Sequence, residues 1–397
     1  MSHPPGADRS ASNPRARIES VDIVRGIIMI IMALDHTRDF FGNAGISPTN
    51  LAQTTTALFF TRWITHLCAP VFFLLTGTGA YLSLRRMSRA ELSRFLITRG
   101  LWMIVLEVTA LRFIMQFNVD YRTTMLTVLW ALGCAMIGLG VLVRLPTSVI
   151  TIVGVAMIAT HNLLDFIPPA QLGSVVRFLH SPSMVSANPN HFVFQAYPII
   201  PWVGVTALGF GFGQLFEWSS DRRRKTLLLL GSGMITAFVA LRALNVYGDP
   251  SRWSVQKTPE FTALSFLNVT KYPPSLLFLL VTLGIAFLML RAVDSSTPRL
   301  LRPALILGRV PLFYFLLHFA VIHVLAVVVC LIRFGSAHWM FESPSLDKFP
   351  ITQPPGWPVS IPLVYLAWVS VVLIVYPFCR WFAALRAGRK DWWLSYL

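Results

Sequence analysis

The chain of 397 residues is 55% hydrophobic and only 13% charged, with a mean hydropathy of +0.64, which describes a polytopic membrane protein and not a soluble domain. Its formal net charge of +16 would suit a nucleic acid, but the cations sit in short connections between apolar runs and form no continuous basic face, so nucleic acid is excluded as a partner. The four cysteines, Cys68, Cys134, Cys330 and Cys379, all fall inside apolar runs without ligand spacing, so neither a disulfide framework nor a metal site is expected.

Residues 1–18 are rich in Pro, Ser and Arg and have no apolar core, which predicts a disordered cytoplasmic tail ahead of one transmembrane domain over 19–397. Apolar segments follow at about 19–41, 57–82, 94–112, 124–143, 147–166, 197–216, 226–243, 274–291, 304–333 and 360–383. Each approaches the roughly 20 residues a bilayer needs, so the expected fold is an all-α polytopic bundle of about ten transmembrane helices. Those helices are expected to run unbroken, with Gly and Pro near their ends. Lys and Arg concentrate in alternate connections, as in Arg85, Arg86, Arg89 and Arg94 and again in Arg222, Arg223, Arg224 and Lys225, which predicts both termini in the cytoplasm. The long connections 167–196, 244–273 and 334–359 then fall on the cation-poor side, where Arg252, Lys257 and Lys271 are counted, and read as ordered caps or a substrate vestibule. Gly209-Phe-Gly-Phe-Gly213 has the small-residue spacing of close helix packing.

The first segment ends in Asp35-His-Thr-Arg-Asp-Phe-Phe41. Asp35, Arg38 and Asp39 can neutralise one another along one helical face, whereas His36 is not needed for that balance and is a functional candidate. Arg62 and His66 lie four apart on one face of the second segment. His161, His180, His191, His318, His323 and His338 all fall toward the same outer side, and only His3 falls inside. Imidazoles gathered there, with Asp35, Asp39 and Glu107 as orienting carboxylates, are what proton transfer near neutral pH requires.

Structural readings stand beside these. His66 precedes Pro70 by four and can serve local hydrogen bonding. His318 and His323 are about 140° apart on a helix, so one of them is structural. His180, His191 and His338 read as solvated loop residues, Glu107 as an ion-pair partner of Arg99, Arg112 or a neighbouring helix, and Asp22 with Arg25 as a pair at a helix start. Residue patterns alone leave open a transferase or a proton-coupled secondary transporter; no phosphate loop, Ser elbow or metal spacing is present.

Several blocks, in order, resemble one family. Arg17 to Gly26 with Met32 to His36, the run Arg62 to Gly77, Tyr197 to Gly204, Leu307 to Phe313 and the terminal Trp392 to Leu397 are similar to bacterial membrane proteins of the heparan-α-glucosaminide N-acetyltransferase catalytic-domain family. The resemblance implies a multi-pass transmembrane acyltransferase of the bacterial plasma (inner) membrane, moving an acetyl or other acyl group from cytosolic acetyl-CoA to an extracytoplasmic glycan or envelope metabolite. The connection 42–56 holds no His, so His36 and His66 are the competing catalytic imidazoles, with Asp35 to orient them. Arg38, Asp39, Arg62 and His318 are expected to bind substrate, with Arg62, Asn43 or Arg38 supplying oxyanion donors, and Arg25 and Arg309 are expected to meet CoA. No metal is implied. The lipid bilayer is the remaining partner, and assembly, a homodimer included, is left open.

Overall fold

The computed structural model of the protein describes residues 18–168, 170–188, 191–294, 298–389, 391 and 394. The N-terminal tail with His3, and Trp392, Trp393, Tyr396 and Leu397 of the terminal block, lie outside the described residues. The elements in order are α1 (Glu19–Phe41), α2 (Thr56–Trp63), α3 (Cys68–Ser83), α4 (Arg89–Leu106), α5 (Arg112–Gln116), β1 (Thr123–Leu126), α6 (Val128–Leu142), α7 (Thr147–Thr160), α8 (Ser174–His180), β2 (Ser183–Asn188), β3 (His191–Gln195), α9 (Ile200–Phe212), α10 (Ser220–Leu244), α11 (Pro259–Leu267), α12 (Leu276–Val293), α13 (Arg302–Gly308), α14 (Pro311–Phe334) and α15 (Ile361–Gly388).

The helix α1 is the axis of the bundle. Its apolar middle is buried, and it packs against α3, α12, α13, α14 and α15. The crossing with α13 is backbone on backbone: a Cβ on Gly26 would stand 1.8 Å from the Ala304 carbonyl oxygen, and one on Gly308 would stand 1.8 Å from that of Asp22. Where lipid removes the hydrophobic drive between helices, such close approach supplies dispersion contacts instead. The Gly209 motif does the same for α9, since a Cβ there would lie 2.1 Å from the Leu74 carbonyl oxygen of α3.

Each of the ten apolar segments contains a helix, and six of these helical stretches are long and apolar enough to cross a membrane: Thr56–Ser83, Thr147–Phe166, Ser220–Leu244, Leu276–Val293, Pro311–Phe334 and Ile361–Gly388. The others carry charge at their ends, as α1 does, or are shorter, as α6 is at 15 residues.

Two expectations change. The fold is not purely helical: β1 pairs in parallel with β3, and β3 with β2 antiparallel, in the order β1-β3-β2. The first residues of the fourth apolar segment, Thr124 to Leu126, are therefore strand, because they meet the edge of a hairpin formed by the long connection that follows α8.

Nor are the helices unbroken. The second segment tightens to a 3-10 turn at Ile64–Leu67, where Pro70 has no N–H to offer the His66 carbonyl. The third widens to a π-helical turn at Glu107–Leu111, and the ninth breaks between α13 and α14 at Arg309 and Val310. Glu107 forms no pair with Arg99 or Arg112; its carboxylate accepts from Thr127 N and Oγ1, both at 2.7 Å, and from Trp130 N at 3.0 Å. It thus satisfies open N–H groups at the start of α6, where a negative charge is favoured.

Candidate active site

The site is built on the last turns of α1. Asp35, buried, accepts a hydrogen bond from Arg38 Nη2 at 2.8 Å and another from Arg62 Nη1 of α2. Arg38 Nη2 also donates to Asp39 at 2.6 Å, and Arg62 Nη1 to Thr65 Oγ1 at 3.3 Å. Two carboxylates and two guanidiniums balance, which is how charge is tolerated at this depth. His36 stands outside that balance. Its Nδ1 is 3.8 Å from Asp39 Oδ2, and its ring lies 4.2 Å from the Phe319 ring and 5.3 Å from that of His318.

Two cavities meet at this cluster. The outer chamber, of about 700 Å³, is lined by polar groups of the long connections, among them Asn43, Ser47, Thr49, Asn268 and Thr270, together with His66. The inner chamber, of about 230 Å³, contains Asp35 and His36 among apolar walls such as Met32, Phe72, Met115, Phe315 and Phe319. Arg38, Asp39, Arg62, Lys271, Tyr272 and Phe349 border both and form the partition.

The structure brings together most of the residues singled out in the sequence. His66 is 2% exposed, lies against Phe278, and has no hydrogen-bond partner for Nδ1 among the described residues, so it is not spent on local hydrogen bonding. His318 sits behind His36 with Nδ1 3.1 Å from the Tyr314 carbonyl oxygen and borders neither chamber. Of the spaced pair His318 and His323, the second is the structural one: its ring nitrogens lie 2.8 Å from the carbonyl oxygens of Ile114 and Met340, and it stacks on Phe117 at 3.9 Å. His180 is not solvated. It closes α8, is 1% exposed and is bonded to Asp165 at 3.0 Å, with its ring 5.6 Å from that of His161. His191 and His338 are exposed, as expected, although His191 opens β3 and does not lie in a loop.

Toward the other end of α1, roughly 15 Å along its axis from Asp35, Arg25 is held by Asp22 at 2.8 Å and by the Gly308 carbonyl at 3.0 Å. Arg309 pairs loosely with Glu19 at 3.8 Å and lines a cavity of about 580 Å³ with Arg86, Arg380 and Arg386. Val310, at the start of α14, borders this arginine cavity, and Phe315 in the helix's second turn borders the inner chamber.

Sequence reasoning missed Lys271, Tyr272 and Tyr197. Tyr272 donates to the Tyr197 hydroxyl at 3.3 Å. Burial opposes ionisation of the Tyr272 phenol, but the Lys271 and Arg62 cations outweigh it and draw its pKa below the usual phenol value. Nothing in periodicity marks these residues, since they lie in or beside connections whose course the sequence does not disclose.

A helix bundle of membrane-length apolar helices, with a balanced acid and guanidinium cluster, adjacent imidazoles and chambers on two sides, defines a polytopic membrane protein with a buried polar site suited to proton and group transfer. Over residues 17–248 the chain matches the family described as heparan-alpha-glucosaminide N-acetyltransferase, catalytic, and it belongs to that family of transmembrane acetyltransferases. The chain matches no curated protein significantly.

Asp35→Asn removes the charge shared by two arginines and leaves both partly unmatched. Thermal unfolding in detergent is expected to show a loss of about 3–5 kcal/mol, against less than about 1 kcal/mol for Asp39→Asn, whose carboxylate is more exposed. Equal losses would mean that Asp35 does not hold the cluster.

Proposed function

We propose that the protein transfers an acyl group from cytosolic acyl-CoA, acetyl-CoA in the first place, to an amine or hydroxyl of a sugar or envelope metabolite held in the outer chamber. The reading is carried by one observation: an imidazole with a carboxylate beside it, His36 with Asp39 at 3.8 Å, lines a largely apolar chamber that opposes a polar one across a shared wall, with a cavity ringed by arginines on the other side of the helices. The arginine cavity suits the phosphates of CoA. The apolar inner chamber suits the thioester, and the outer chamber, with its amide and hydroxyl groups, suits a polyhydroxylated acceptor.

In this reading the acceptor attacks the thioester carbonyl carbon while His36 takes its proton, and Asp39 stabilises the imidazolium as it forms. The proton then passes to the leaving thiolate, and free CoA thiol is released. His66, in the outer chamber, positions the acceptor. By the positive-charge distribution the arginine cavity faces the cytoplasm and the chambers open outward.

Purified protein in detergent is expected to release thiol from acetyl-CoA in the presence of an amino or hydroxyl sugar. His36→Ala is expected to lower kcat by about 100-fold or more with little change in KM for the acceptor. His66→Ala is expected to weaken transfer chiefly by raising that KM. Wild-type rates in both variants would overturn the assignment.

Exchanging Arg380 for Gln is expected to raise KM for acetyl-CoA severalfold, more so at low salt, with KM for the acceptor unchanged. An unchanged KM for the donor at every ionic strength would remove the arginine cavity from the donor's path.

A second reading, a proton-coupled transporter, draws on the helix breaks at Ile64–Leu67 and at Arg309 and Val310, since transporter sites use discontinuous helices. Counterflow of a labelled sugar into proteoliposomes without any acyl donor would favour it. The transferase reading expects none.

A further inference from the structure

Three cations border both chambers, and two are already occupied. Arg62 donates to Asp35, and Arg38 to Asp35 and Asp39. Lys271 differs. It is 8% exposed, and among the described residues no carboxylate lies within ion-pair distance of its ammonium; its Nζ is 5.2 Å from the Tyr272 ring centroid. A buried ammonium without a counter-ion is unfavourable unless an anion is met there.

Its place is also fixed. Asp249 accepts from Thr270 N at 2.8 Å, from Thr270 Oγ1 at 2.9 Å and from Ser275 Oγ at 2.7 Å, so one carboxylate clamps the chain on both sides of Lys271. A cation held in place before the reaction needs no reorganisation as charge develops, which is the condition for electrostatic catalysis. The family match ends at residue 248, so the role of Lys271 is read from geometry alone.

We propose, resting on the transferase reading, that Lys271 is a catalytic cation, meeting the negative charge that forms on the thioester carbonyl oxygen at the partition between the chambers. The acceptor lone pair forms a bond to the carbonyl carbon and the π pair moves onto oxygen, where the Lys271 ammonium stabilises it. The acceptor proton goes to His36. Collapse restores the carbonyl, breaks the carbon–sulfur bond, and the thiolate takes the proton from His36. Arg38 and Arg62 stay bound to their carboxylates throughout, so that Lys271 carries the one unbalanced charge among these groups.

The test uses the full-length protein in detergent, with acetyl-CoA and the acceptor that gives thiol release in the wild type. Lys271→Met is expected to lower kcat by about 100- to 1,000-fold, with both KM values within about threefold, and Lys271→Arg is expected to retain most of kcat. Lys271→Ala is expected to regain activity with added propylammonium but not with propanol, a response that a packing role would not give. That rescue arm also covers a Lys271→Met variant that folds poorly.

Wild-type kcat in Lys271→Met overturns the proposal. So does a raised KM with kcat unchanged, which would make Lys271 a ground-state anchor, and so does rescue by propanol alone. A wild type that transfers no acyl group to any acceptor is a distinct outcome: it rejects the transferase reading, and the role of Lys271 falls with it.

Discussion

The carboxylate of Asp35, gripped by guanidiniums from two helices, is the constraint on which the site depends. A single buried aspartate would be intolerable at this depth, and a single buried arginine equally so; together with Arg38, Arg62 and Asp39 they form a neutral unit whose members must all arrive at once. That requirement fixes α2 against the last turns of α1. It therefore sets where the chain tightens to a 3-10 turn and where His66 is delivered. With the charge balanced, His36 stands outside the cluster, and the Asp39 carboxylate 3.8 Å from its Nδ1 is a by-product of the same arrangement.

The breaks in the helices follow the same logic. A membrane helix satisfies its own backbone, so an interruption exposes groups that something must bond. Glu107 bonds the start of α6 from within a π-helical turn, and Gly26 and Gly308 let α1 and α13 close on each other beside the break that begins α14. Glu107 holds Thr127, which lines the inner chamber, and the break before α14 borders the arginine cavity. The outer helices α10 and α15 have no such interruption, although α15 carries Pro377 in its interior.

Much of the site was legible because helical spacing is local. Asp35, Arg38 and Asp39 meet along one turn by arithmetic, and so does the pairing of Asp22 with Arg25. The apolar segments located the helices for the same reason. What depends on the path of a long connection was not legible. His180 looks like a solvated loop residue until α8 brings it against Asp165 and His161, and Lys271 counts as one more topological cation until the segment from Asn268 to Tyr272 lines the chambers. The strand at Thr123–Leu126 was hidden because a few β-branched and apolar residues read equally well as the start of a helix until a partner edge appears.

The contrast between the two chambers bears on why such a protein would transfer rather than hydrolyse. A thioester in open contact with water is exposed to hydrolysis, whereas on the proposed reading a chamber walled by Met and Phe side chains would hold the carbonyl and withhold water from it. A polar approach runs through the partition, past Tyr272 and Phe349, from a chamber shaped by amides and hydroxyls. An acceptor that fills the outer chamber both presents its nucleophile at that wall and displaces the water that would otherwise stand there. The neutral cluster around Asp35 supports this arrangement because it adds no net charge to draw water inward, which leaves the ammonium of Lys271 as the one cation at the wall, among the described residues, without a carboxylate of its own.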